Sequence, residues 1–121
     1  MKTKQEIFDQ VATHLLKQNK RSTNISMLCS CAYRGENGTK CAVGCLIPDE
    51  DYVEEMEGGL GDLMFSYKEL MEKIGLDCDE HYVLLRRLQV CHDVSEPEDW
   101  KDRLKNIAEQ YKLNPSVLEK F

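Results

Sequence analysis

Apolar residues recur with the period of an α-helix over most of this chain. In the first such stretch, residues 4–18, they return every three or four positions and form one face (Ile7, Phe8, Val11, Ala12, Leu15 and Leu16). Thr3 and Glu6 have the spacing of a capping box, in which a hydroxyl and a carboxylate bind the first free amides of a helix. The pattern therefore predicts an amphipathic helix over residues 4–18.

Three later stretches show the same period. The second predicted helix covers residues 60–74 and ends at Gly75, where glycine followed by an apolar residue is typical of a Schellman stop. The third runs from about residue 80 to 91, and its apolar residues surround much of its circumference, so we expect it to be the most buried helix. The fourth follows a second capping box at residues 95–98, and residues 115–121 predict a docked terminal turn.

The segment between the first two helices predicts a β-hairpin. Cysteine, alanine and tyrosine nearly alternate before Arg34, and the sequence Gly-Glu-Asn-Gly at residues 35–38 supplies the positive φ angles of a tight reversal. We expect Cys29–Arg34 to pair with Thr39–Ala42 and the hairpin to lie on the helices, because two strands alone are marginal in water. After it, a helical turn is predicted in which Gly44 lets another backbone come close.

These elements predict an α+β fold that is mainly helical, with four to five helices packed around a short two-stranded hairpin. A chain of 121 residues with 41% apolar and 31% charged residues fits a single domain over residues 1–121. No apolar run approaches the roughly 20 residues that cross a bilayer, and no signal peptide is evident, so we expect a cytoplasmic protein without a membrane span. In that reducing compartment the six cysteines are expected as thiols.

The charge is unevenly distributed. Residues 1–40 carry seven basic and three acidic side chains, whereas residues 41–121 carry nine basic and nineteen acidic ones. The net charge of the whole chain is −6. This acidity argues against nucleic acid as a partner, although basic residues and Tyr33 lie near the predicted hairpin. The acidic segment from residue 49 to 57 favours a protein partner that binds through charge. The predicted contact residues are Asp49, Asp51, Glu54, Glu55 and, on the hairpin, Arg34.

Four cysteines suggest an alternative in which the hairpin holds zinc. Cys29 and Cys31 on one strand and Cys41 and Cys45 on the next could converge on a tetrahedral ion. The spacing departs from that of a zinc knuckle, however, because Cys-x-Cys in a strand lacks the turn that pinches the metal. We therefore expect no metal cofactor and interpret these cysteines as small buried side chains.

A second alternative is a cysteine hydrolase. Cys41 or Cys45 lies near the start of the predicted helical turn, and His92 and Asp93 end the third helix. A helix N-terminus and an imidazole each lower a thiol pKa, as a nucleophile requires. The sequence alone does not bring these groups together, so no catalytic residue is assigned.

The chain resembles small uncharacterised proteins of tailed bacteriophages and bacterial genomes. The resemblance is carried by CAYRG at residues 31–35, KCAVGCLIPDE at residues 40–50 with Tyr52, Glu57 and Gly58, and LQVCHD at residues 88–93, and it extends from the first helix past Trp100. A more distant similarity joins it to small actinobacterial domains, in which His92 aligns with asparagine and Cys45 with alanine. That likeness weakens both the catalytic and the zinc alternative.

The resemblance implies an origin and not a mechanism. We therefore predict a non-catalytic accessory protein, encoded by a phage or mobile element, that binds a host or viral macromolecule. The alternatives are the cysteine hydrolase that uses Cys41 or Cys45 with His92, and a zinc-stabilised binding module.

Overall fold

The periodic segments fold as helices in a computed structural model that describes residues 1–24 and 30–121. The α-helices of these ranges are α1 (Lys4–Gln18), α2 (Leu60–Ser66), α3 (Lys68–Lys73), α4 (Tyr82–Val94) and α5 (Trp100–Gln110). Short 3-10 helices occupy Glu36–Gly38, Gly44–Leu46, Asp49–Asp51, Glu54–Met56, Pro97–Asp99 and Ser116–Lys120. Two-residue extended segments, β1 (Thr23–Asn24) and β2 (Ser30–Cys31), pair with each other in antiparallel fashion.

Helix α1 has the predicted bounds and the predicted cap. The Thr3 hydroxyl accepts a hydrogen bond from the Glu6 amide at 3.1 Å, and the Glu6 carboxylate accepts one from the Thr3 amide at 2.9 Å. Its apolar face is buried, and Asn19 ends the helix in the left-handed region at φ 51°. The local signals in this segment are sufficient because capping and one-sided burial favour the same helix.

The predicted second helix is present in two parts. Helices α2 and α3 meet at Tyr67, whose ψ of 33° departs from helical geometry. The predicted Schellman stop is confirmed, because the Leu76 amide donates to the Met71 carbonyl at 2.8 Å and Gly75 has φ +94°.

Helices α4 and α5 differ from the prediction in detail. Helix α4 is buried on one side only, and some of the apolar residues around its circumference are exposed. Its exposed apolar residues are Val83, Val90 and Val94. The Ser95 side chain makes no cap for the following helices. Instead, the Ser95 carbonyl accepts a hydrogen bond from Trp100 Nε1 at 3.2 Å, which links the two helices at their connection.

The predicted hairpin is not found in the described residues, and the α+β fold class is wrong. The only extended pairing there is the two-residue one of Thr23 with Cys31 and Asn24 with Ser30. The segment Thr39–Ala42 is not a strand, and the reversal before it contains a 3-10 turn, with Asn37 at φ 57° and Gly38 at φ +76°. Cys29 lies outside the described residues. The described chain is a helical fold with irregular connections.

Side-chain acceptors replace the strand ladder that the hairpin would have needed. The Tyr33 and Arg34 amides donate to the Glu57 carboxylate at 2.9 and 3.0 Å. The Lys40 amide donates to Gln18 Oε1 at 2.9 Å, and the Val43 amide to Gln89 Oε1 at 3.0 Å. Because these backbone donors are already satisfied, nothing favours pairing the two segments as strands.

One apolar core joins the helices to the segment at residues 41–47. Trp100, Phe8 and Ile47 are among its largest buried side chains. The predicted close approach at Gly44 is confirmed: a Cβ there would lie 2.3 Å from the Tyr33 carbonyl oxygen. The predicted terminal turn is also confirmed, since Val117 and Leu118 are buried against the rest of the core.

Candidate functional site

Cys41 and Cys45 belong to the helical turn after the reversal. Cys41 Sγ accepts a hydrogen bond from the Gly44 amide at 3.3 Å, and Cys45 Sγ donates to the Ala42 carbonyl at 3.1 Å. Burial raises the pKa of Cys45 to about 12 and that of Cys41 well above its ordinary value. Both thiols are therefore protonated near neutral pH, which is the opposite of what a nucleophile needs.

His92 is fully buried and both of its ring nitrogens are engaged. Nε2 lies 2.9 Å from the Ser22 amide, which can only donate, so Nε2 accepts this bond and the ring proton is on Nδ1. Nδ1 then donates to Asp93 Oδ1 at 2.8 Å, and the ring stacks on Trp100 at 5.5 Å between centroids. This histidine connects the segment after α1 to helices α4 and α5. Neither nitrogen is left to act as a base.

The sulfur near this histidine is that of Cys31. One donor atom each from Cys31, His92 and Asp93 lie within 4.8 Å of one another, and no other such group of three occurs in the described ranges. Burial and the adjacent Asp93 raise the pKa of Cys31 to about 11. Burial alone raises the pKa of Asp93 as well, but hydrogen bonds from His92 and Gln89 lower it below its ordinary value. The group is thus a protonated thiol beside a charged carboxylate.

This group does not fit a metal site. A metal on Nδ1 of His92 would require the ring proton on Nε2, where it would face the Ser22 amide proton. Of the four cysteines in the zinc alternative, Cys31, Cys41 and Cys45 form no group of donor atoms within 4.8 Å of one another, and Cys29 lies outside the described residues. Each of the five described cysteines is a free thiol.

The predicted partner residues are partly occupied by contacts inside the molecule. Arg34 donates to the carbonyls of Gly44 and Ile47 at 2.7 and 2.6 Å and lies over the Tyr52 ring. Asp49 forms ion pairs with Lys40 and with Arg34, which hold its pKa below the ordinary value. Arg34 therefore binds groups within the protein itself.

The remaining acidic residues divide into two kinds. Asp51 lies 3.8 Å from Lys73 and is mostly covered, whereas Glu54 and Glu55 are exposed. Glu57 enters the sequence analysis only through the resemblance and without a role, and its carboxylate binds two backbone amides and the Tyr52 hydroxyl. That this segment contacts a partner stays a prediction.

A groove of about 480 Å³ lies between α4 and α5. Its more deeply buried lining includes Cys91 and Ile107. Val83, Val90 and Val94 line it while 55, 43 and 72% exposed. The charged residues of its lining are all basic (Arg86, Arg87 and Arg103), and within the described ranges none of them forms an ion pair.

The sequence contained a signal for this groove. Residues 83, 87, 90 and 94 repeat at intervals of four, three and four, which places them on one face of a helix. The buried residues of α4 (Leu84, Leu85, Leu88, Cys91 and His92) lie on a different face. The pattern alone does not tell which of the two faces the rest of the chain covers.

Comparison of the chain with models of protein families, with curated proteins and with solved structures gives no match. The resemblance to phage proteins therefore stays a prediction. Within the described part of the chain, no helix combines the length and the apolar character needed to cross a bilayer.

Proposed function

We propose that this protein is a non-catalytic accessory protein, of the kind that phages and mobile elements encode, and that it binds a host or viral protein. Its proposed docking surface is the groove between α4 and α5. The observation that carries the proposal is the row of three exposed valines along that groove.

An exposed apolar row of this kind favours binding. Single exposed apolar residues are common on any protein, but a contiguous set beside a concave surface is typical of an interaction site. Full burial of one valine contributes up to about 1.5 kcal/mol, so covering the three partly exposed ones is a substantial gain.

The geometry of the cysteines supports the same proposal. The pKa values of the Cys41 and Cys45 thiols are raised, and His92 has neither nitrogen available for proton transfer. A cysteine hydrolase requires a lowered thiol pKa and a free imidazole beside it. The hydrolase alternative therefore lacks its two chemical requirements at these residues.

Site-specific photo-crosslinking in producing cells tests the proposal. A benzophenone amino acid would replace Val94 in the groove, Glu55 in the acidic segment or Glu72 on α3, all of which are exposed. We expect a discrete crosslinked protein from position 94 and none from position 72. The crosslinked protein would then be purified, and its affinity for the Val94→Asp variant should fall at least about tenfold.

Two results would contradict the proposal. Equal crosslinking from positions 94 and 72 would show contact without a defined surface. Crosslinking from position 55 alone would show that the partner binds the acidic segment and not the groove. Circular dichroism of each variant ensures that the fold is intact.

A further inference from the structure

We infer that the groove between α4 and α5 takes an acidic amphipathic α-helix of a partner protein. This inference rests on the proposed function and specifies the chemistry of the partner. It is drawn from the shape of the groove, the positions of its valines and the sign of its charges.

The shape fits a helix. The stripe of Val83, Arg87, Val90 and Val94 extends over twelve residues, or roughly 16 Å at the rise of an α-helix. On the other side, residues 103–110 of α5 line the groove at the same spacing of three and four. A helix that lies between two others inserts apolar side chains from every third or fourth position into such a space. About three turns of a partner helix would fill it.

The charge selects an acidic partner. The groove lining contains Arg86, Arg87 and Arg103 and no acidic residue, whereas the whole chain has a net charge of −6. Guanidinium groups bind carboxylates through two parallel hydrogen bonds, so glutamates that flank an apolar stripe match the three arginines. A basic helix would meet repulsion in the groove. The contrast with the acidic remainder also orients an acidic segment toward this one surface.

A strand is a poorer occupant than a helix. A partner strand gains its affinity from backbone hydrogen bonds to a free sheet edge. The groove is lined by side chains of two helices, whose backbone groups are bonded within each helix. Recognition must therefore come from side chains on one face of the partner.

The test uses three fluorescein-labelled peptides of about 14 residues with the purified full chain. The first has leucine at every third or fourth position and glutamate elsewhere. The second replaces glutamate by lysine, and the third carries two central prolines that prevent a helix. Fluorescence anisotropy at about 0.15 M salt should show the first peptide binding at least about tenfold more tightly than either of the others.

Charge reversal in the protein supplies the matched control. The double substitution Arg86→Glu with Arg87→Glu should weaken binding of the acidic peptide by about tenfold or more. Lys68→Glu with Lys105→Glu changes the net charge equally at exposed positions that do not line the groove. This second pair should change the affinity less than about twofold, since long-range charge is screened.

Several results would overturn the inference. These are equal binding of the acidic and lysine peptides, an equal effect of the two double substitutions, and tight binding of the proline peptide. If the protein binds phosphatidylglycerol vesicles through these arginines and does not bind the peptides, the groove contacts a membrane surface instead. Concentration-dependent dimers that Val94→Asp abolishes would assign it to a second copy.

Failure of the inference is distinguishable from failure of the proposed function. If position 94 crosslinks a protein that binds in purified form and the acidic peptide does not bind, only the chemistry of the partner is wrong. If no position crosslinks a protein, the proposed function is wrong whatever the peptides do, and if only position 55 does, its docking surface is wrong.

Discussion

Replacing Gly44 by alanine tests how the helical turn packs on the chain before the reversal. The new Cβ would lie 2.3 Å from the Tyr33 carbonyl oxygen and 2.9 Å from Tyr33 Cα. Carbon atoms pack at about 3.5–4.0 Å, so the two backbones must separate by roughly 1 Å. Neither contact is with a flexible side chain that could rotate away.

The cost of this separation is increased by Arg34. Its guanidinium donates to the Tyr33 carbonyl at 3.2 Å and to the Gly44 carbonyl at 2.7 Å, so it spans the same gap. Overpacking costs about 1–3 kcal/mol, and a weakened hydrogen bond from a charged donor adds about 1.5–3 kcal/mol. The lower entropy of the unfolded alanine chain offsets at most about 1 kcal/mol. We expect Gly44→Ala to lower the free energy of unfolding by about 3 kcal/mol.

Urea and thermal unfolding would measure this loss, with a fall in Tm of about 10 °C. Gly59→Ala is the matched control, since no atom lies within 4 Å of its Cβ position and its φ is not positive. Because Gly59 is the N-cap of α2, where alanine is less favoured than glycine, the entropic gain of about 0.4–1 kcal/mol is offset, and this variant should stay within about 0.5 kcal/mol of the parent. A Gly44→Ala protein within about 0.5 kcal/mol of the parent, or an equal loss for Gly59→Ala, would refute the packing argument.

Two further predictions concern the cluster around His92. The folded-state pKa of Asp93 is lowered, so its contribution to stability is present above the ordinary aspartate pKa of about 3.9 and is lost as the pH falls through the lowered value. Urea unfolding should therefore show that the stability deficit of Asp93→Asn shrinks between about pH 6 and pH 3; a constant deficit would contradict the role of the charge. The pKa of Cys31 rises from 9.0 to about 11, so iodoacetamide at about pH 8 should alkylate Cys31 roughly 100-fold more slowly in the folded than in the unfolded protein. Peptide mass spectrometry measures this ratio; equal rates would contradict the raised pKa of Cys31, and a faster rate in the folded protein would show an activated thiol.

The sequence predicts the elements whose signals are local. The capping box at Thr3, the glycine stop at Gly75 and the close approach at Gly44 each depend on residues within a few positions or on the size of one side chain. These features were predictable because short-range hydrogen bonds and sterics determine them. The terminal turn was predictable from its apolar residues.

The hairpin was not predictable in the same way. The reversal at residues 35–38 does occur, and the Gly35 amide donates to the Thr39 carbonyl at 2.9 Å. The flanking amides, however, are satisfied by Gln18, Glu57 and Gln89, which are 22, 24 and 46 positions from the residues that they bind. Alternation of residue types does not reveal acceptors that tertiary structure brings from elsewhere.

The candidate site was hidden for a related reason. The spacing of Val83, Val90 and Val94 indicates a shared face, and the same spacing describes a buried face and an open one. The sequence singles out His92 and Asp93 as a pair, but it does not reveal that His92 binds the Ser22 amide and that Asp93 binds the Gln89 side chain. Burial and partner identity depend on the packing of the whole chain, which periodicity does not contain.

Helix α4 separates the residues that maintain the fold from those that form the groove. Leu84, Leu88 and His92 point into the core, whereas Val90 and Val94 do not contribute to its buried part. Surface substitutions away from such core features usually change stability by less than about 0.5 kcal/mol. The outer side of one helix can therefore change through single mutations while the scaffold beneath it stays the same.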